Sequence, residues 1–196
     1  MSAVTMSEQG EAPRLGMWVF LASEFLFFGG LLLAYVYARS HWPEGFAQAG
    51  SHTHVVLGTL NTALLLTSSA VIAVAVACAE DYRRWSRRLL WVTFVLGLAF
   101  LAVKGLEYWK EWGEHLVPGP DFALHAPGAE LFFLLYFLLT GVHTVHMLAG
   151  LVVVGTLAGR GAREATHVEV GALYWHFVDI VWIFLYPLLY LVGRAS

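Results

Sequence analysis

Five uninterrupted apolar stretches, each about twenty residues or longer, run through this 196-residue chain: 15–37, 55–78, 89–108, 128–157 and 171–192. An α-helix of that length crosses the hydrocarbon core of a bilayer. The runs are continuous where barrel strands would alternate apolar and polar residues, so a strand reading fails. With 59% hydrophobic and 13% charged residues, the apolar content also exceeds what one soluble core would bury. The expected architecture is all-α: a polytopic membrane domain of five transmembrane helices over residues 15–196, preceded by an N-terminal tail of residues 1–14.

The connections predict an orientation. Arg83, Arg84, Arg87 and Arg88 lie between the second and third spans, Arg160 and Arg163 between the fourth and fifth, and Arg14 precedes the first. The opposite side carries only Arg39, Lys110 and Arg194, so the positive-inside rule places the N-terminus in the cytoplasm and the C-terminus outside. The first eleven residues lack a basic start and a small-residue cleavage site, so the first span is expected to stay in the protein. Cys78 is the one cysteine, which leaves no internal disulfide, no Cys-x-x-Cys-His haem attachment and no paired-cysteine copper or iron–sulfur site. Net charge is −3, and nucleic acid is not an expected partner. In the outer connections, His41, His52, His54 and His125 read as hydrated interfacial residues rather than a metal set, and Tyr35, Tyr37, Trp42, Trp109 and Trp112 as an interfacial aromatic belt.

Ionisable groups at membrane depth are costly, and therefore informative. Glu24 lies near the middle of the first span among Phe20, Leu21, Phe27 and Phe28, none of which pairs with it, so its partner comes from another helix, water or lipid, or else it is protonated. In the fourth span, His143 and His146 lie at a similar depth. Counting residues along two antiparallel helices matches Glu24 to His146, which makes a hydrogen bond between them a concrete expectation. Glu24 then either ties helices together as a neutral acid or handles protons or lipid. In the fifth span, His176 and Asp179 are three apart and read as a second pair, the carboxylate fixing the imidazole tautomer. Lys104 and Glu107 read as a pair at the outer end of the third span, with Lys104 snorkelling outward. Asn61, with neighbouring threonines and serines in the second span, reads as a polar contact between close helices. Axial haem ligation by His176 with His143 or His146 is the competing use of the histidines, and ion transport a further one, although repeated halves and broken helices are missing. Pro187 is expected to kink the fifth helix.

Five segments, in order, resemble the successive signatures of subunit III of haem-copper terminal oxidases: 23–28 (SEFLFF), 60–62 (LNT), 104–108 (KGLEY), 140–146 (TGVHTVH) and 174–182 (YWHFVDIVW). The resemblance spans about residues 17–191 and implies a subunit without haem or copper of its own, docked on catalytic subunit I, with subunit II in the same complex. It also implies a role in stabilising the core and supporting proton uptake, in a bacterial cytoplasmic membrane. Haem and copper are then expected in the partner subunits, and bound phospholipid on this chain is left open. The chain resembles the shorter five-helix members, so the lipid groove between the two bundles of longer members is not carried over. Glutamate at position 24 favours a cytochrome c oxidase member; a quinol oxidase subunit or a nitric oxide reductase accessory protein are the neighbouring alternatives. The residues singled out are Glu24, His143, His146 and Asn61 as one intramembrane cluster, His176 and Asp179 as another, and Lys104 with Glu107, with no catalytic residue and no metal ligand among them.

Overall fold

The apolar runs fold as helices in the computed structural model, which describes residues 4–160 and 165–191. In chain order these are α1 (Val4–His41), α2 (Pro43–Ser51), α3 (Val55–Ala77), α4 (Arg83–Gly113), α5 (Ala129–Arg160) and α6 (Ala165–Tyr186), the last running on into a π-helical turn, Pro187–Leu191. No strand occurs among the described residues. Five of the helices are long and apolar enough to span a membrane: Arg14–His41, Val55–Ala77, Arg83–Gly113, Ala129–Gly159 and Ala165–Leu191. Arg163, Arg194 and the final residue of the last expected span, Val192, lie outside the described residues, as do the first three residues of the expected tail.

The long helices overrun the expected spans where the apolar run stops but nothing breaks the helix. α4 continues through Trp109, Lys110, Glu111 and Trp112, residues with no turn chemistry, and ends at Gly113. His115 there takes φ 55° in the position after the helix cap; its N–H reaches the Trp112 carbonyl at 3.2 Å, and the Leu116 N–H reaches the Glu111 carbonyl at 3.0 Å. That is a Schellman closure with histidine in glycine's usual place. In span five the proline does more than kink. Without an N–H, Pro187 cannot continue the ladder, and the helix widens into the π turn that carries Leu189 and Tyr190 inward.

Four helices make the core. α3 packs on α4 and α6, and α5 on α4 and α6, so the four close a ring in which every member has two neighbours. Without a hydrophobic driving force in lipid, such a ring is held by close packing and interhelical hydrogen bonds. Gly97 shows the closeness: a Cβ there would lie 2.6 Å from the Trp175 ring and 2.9 Å from Leu151. Trp175 in turn donates its indole N–H to Ser68 Oγ at 3.1 Å, and Trp182 donates to Thr62 Oγ1 at 3.0 Å. α1 stands outside the ring, against α5 and α6. Three links fasten it: an ion pair between Arg14 and Glu169, the Glu24–His146 contact, and a 2.6 Å hydrogen bond from the Tyr35 hydroxyl to the Leu188 carbonyl in the π turn.

α2 belongs to a segment expected to be only a connection. Pro43 at its first position and the small residues that follow allow a short helix, which caps one end of the bundle against α5 and the π turn. Its Phe46 is buried between Tyr35 and Phe132, at ring distances of 5.4 and 5.5 Å. Tyr35 is therefore a core residue and not part of the interfacial belt, whereas Tyr37, Trp109 and Trp112 are exposed as a belt requires.

Candidate functional site

The structure sorts the ionisable residues of the spans into four places. On the α1 side, Glu24 Oε2 meets His146 Nε2 at 3.0 Å, as depth matching along the helices anticipates. His146 Nδ1 is 2.9 Å from the Val142 carbonyl, which can only accept, so Nδ1 carries a hydrogen. The contact with Glu24 then needs one further hydrogen, held either by Nε2 as imidazolium or by Glu24 as the acid. Phe28 meets the imidazole edge-on at 5.1 Å, and the Tyr174 hydroxyl donates to the His146 carbonyl at 3.1 Å. These contacts tie α1, α5 and α6 at one level.

His143 and Asn61 do not join that cluster. His143 points to the other side of α5, into the four-helix ring, where its imidazole packs on Phe100 at 5.7 Å and Trp182 at 5.2 Å. Asn61 lies on the buried face of α3. Both are fully buried, and none of their side-chain nitrogens and oxygens has a protein hydrogen-bond partner. Residues three apart on a helix share a broad face, but α5 sits between α1 and α4, and the 60° difference in direction sends one histidine to each.

The expected His176–Asp179 pair is also corrected. His176 Nδ1 bonds across to Ser69 Oγ on α3 at 2.8 Å, while neither oxygen of Asp179, a buried residue, finds a protein hydrogen bond. The ring bonds a hydroxyl on the facing helix and not the side chain three residues along its own. His176 also lines an otherwise apolar cleft of about 560 Å³ between α1 and α6, with Trp18, Phe25, Phe177 and Ile180. The three histidines thus face three environments: Glu24 for His146, Phe100 and Trp182 for His143, and Ser69 for His176. Among the described residues there is no group of three or more His, Cys, Asp or Glu side chains placed to hold a metal ion.

The fourth place overturns the snorkelling expectation. Lys104 is only 2% exposed, and its ammonium donates to Glu107 Oε2 at 2.9 Å, to the Tyr136 hydroxyl at 2.7 Å and to the Tyr190 hydroxyl at 2.8 Å. All three donors are used, as a buried ammonium demands. The rings of Tyr136 and Tyr108 lie 4.4 and 4.9 Å from Nζ, adding cation–π attraction. Glu111, another fully buried carboxyl, follows on the same helix face. Tyr136, Tyr190 and Glu111 were not singled out from sequence; a stripe was nevertheless legible, because 104, 107 and 111 follow the three- and four-residue spacing of one face.

Geometry therefore defines a five-span helical membrane protein whose buried ionisable groups tie its helices to one another. The model of the family described as cytochrome c oxidase subunit III matches residues 5–194. Cytochrome c oxidase subunit 3 of Thermostichus vulcanus is 33% identical, over 98% of this chain and 95% of that protein. "Probable quinol oxidase subunit 3" of Staphylococcus epidermidis is 30% identical, over 96% and 93%. A protein of Aeropyrum pernix named heme-copper oxidase subunit I+III is 30% identical over 91% of this chain, which covers 22% of that longer one. The chain belongs to the cytochrome c oxidase subunit III family.

Proposed function

We propose that this chain is a non-catalytic subunit of a bacterial respiratory haem-copper oxidase, docked on subunit I, stabilising it and supporting its proton uptake. The observation that carries the reading is the family match along almost the whole chain, residues 5–194. Association with subunit I is favoured by the Aeropyrum pernix relative, whose name joins the two subunits in one polypeptide. In this reading the haem and copper belong to subunits I and II, and the polar groups here act as ties: Glu24 to His146, Ser69 to His176, Lys104 to Glu107 and two tyrosines. The N-terminus faces the cytoplasm, following the arginines at 83, 84, 87 and 88 between α3 and α4.

A cytochrome c oxidase is the preferred type, on the glutamate at position 24. A quinol oxidase is the second reading, favoured by the similar identity to the Staphylococcus epidermidis relative. Affinity purification of the tagged chain from native membranes in mild detergent tests both. Haem and copper in co-purifying larger subunits, with none on the separated chain, supports the subunit reading, and the donor oxidised by that complex assigns the type; haem retained by the isolated chain overturns it.

Within this reading, Glu24→Ala is expected to leave membrane insertion intact while loosening α1, because His146 Nε2 loses its partner at a cost of about 1–3 kcal/mol. Partial exposure of both side chains places the effect in the lower part of that range. The check is subunit stoichiometry and the decay of oxidase activity over many turnovers, compared with wild type; identical decay with full stoichiometry counts against the role.

A further inference from the structure

The cluster around Lys104 contains one buried cation and two buried carboxyls. Lys104 balances Glu107, but Glu111 is also fully buried, and neither its two oxygens nor Oε1 of Glu107 meets a protein hydrogen-bond donor. The groups acting on Glu111 are Lys104 and Glu107 from α4, Glu114 at its C-terminal cap, and the Tyr136 hydroxyl from α5. Tyr190 of the π turn reaches the cluster through a 3.1 Å hydrogen bond to Glu107 Oε2, and His54, just before α3, stands 3.5 Å from Glu114. Tyr190 accepts from Lys104 and donates to Glu107, while the Tyr136 hydroxyl, which also accepts from Lys104, has one hydrogen to share between Tyr190 at 3.3 Å and Glu111. An ionised Glu111 would be a second buried anion beside a first, with no cation of its own and at most the Tyr136 hydroxyl as a donor, in the last turn of α4 where the helix dipole is also negative.

We propose that Glu107 and Glu111 hold one exchangeable proton between them, forming a proton-binding site at the α2 end of the bundle. Glu111 is the carrier, one turn from Glu107 on the same face, and its O–H donates to the free Oε1 of Glu107 directly or through one water. A single hydrogen then satisfies an orphan atom on each carboxyl, and Lys104 remains the fixed countercharge. Exchange with bulk water runs past Glu114 and His54, which are partly exposed at the surface. On the inward side, the buried, unpartnered His143 shares the Trp182 ring with Lys104, at 5.2 and 5.8 Å, so the polar interior continues past the pair. The site is independent of which oxidase the chain serves.

Infrared spectroscopy of the assembly in native membranes, with wild type, E111Q, E107Q and E107Q/E111Q at matched protein, tests this. The expected result is a protonated-carboxyl C=O band in wild type that shifts down in D2O and is lost in both single variants. In E111Q the carrier is gone; in E107Q Glu111 gives up its proton to balance Lys104. E111Q should assemble at the wild-type level, since glutamine replaces a neutral acid of the same shape, while the double variant should lose assembly several-fold because Lys104 has no anion left. An unchanged band in E111Q overturns the proposal. So does a several-fold loss of assembly in E111Q, the behaviour of a paired carboxylate.

Discussion

Lys104→Met is expected to lower the stability of the folded chain by about 3–5 kcal/mol, the cost of removing one partner from a buried ion pair and leaving the other charge uncompensated. The side chain is nearly isosteric, so lost packing is minor; the loss is the ammonium, which serves Glu107, Tyr136 and Tyr190 at once and so joins α4, α5 and the π turn. Membrane levels of the chain and the thermal midpoint of the detergent-solubilised complex both read this, and both should fall. A double variant, Lys104→Met with Glu107→Leu, should recover most of the loss, because a buried pair can be exchanged for apolar side chains at little net cost. Recovery by the double variant distinguishes an electrostatic origin from mere damage to the core. Equal stability of the single variant and wild type would show that the ammonium is not holding these elements.

Gly45→Ala is expected to undock α2. A Cβ at this position would sit 2.0 Å from the Pro127 carbonyl oxygen and 3.0 Å from the Ala129 nitrogen, both backbone atoms that cannot turn aside as a side chain would. Overpacking costs about 1–3 kcal/mol where side chains can yield, and this contact belongs at the top of that range. The neighbouring clamp is equally tight: Gly128 takes φ 87°, and a Cβ there would meet Trp42 at 2.4 Å. Limited proteolysis between α1 and α3 reads the change directly. Cleavage should accelerate in the variant, while the four-helix ring stays protected; an unchanged digestion pattern would mean α2 is held by something other than this approach.

The five spans were legible because length and continuity of apolar residues are a direct record of bilayer thickness, and the Glu24–His146 contact because depth can be counted at a fixed rise per residue. What failed were judgements about direction. Which way a side chain leaves its helix depends on which neighbour is nearest, and for His176 that neighbour was Ser69, a hydroxyl more than a hundred residues away. Lys104 read as a surface residue because its burial is created by Tyr136 and Tyr190, supplied by α5 and by a π turn that only the proline sets up. His143 and His146 looked like one unit on paper. The ring of helices around α5 gave them different company.

The attachment of α1 has a consequence for how the chain is made. Its three polar fastenings reach residues 146, 169 and 188, so α1 completes its attachment only when α5, α6 and the π turn have been synthesised. During that interval Glu24 must wait in the membrane without its imidazole, a state a carboxyl tolerates only when solvated or held. The order of synthesis and the order of attachment therefore differ: Glu24 waits for α5, and Arg14 and the Tyr35 hydroxyl wait for α6 and the π turn. Pulse-labelled intermediates released after α5 but before α6 should already hold Glu24 against His146, yet still leave the Tyr35 hydroxyl and Arg14 without their partners.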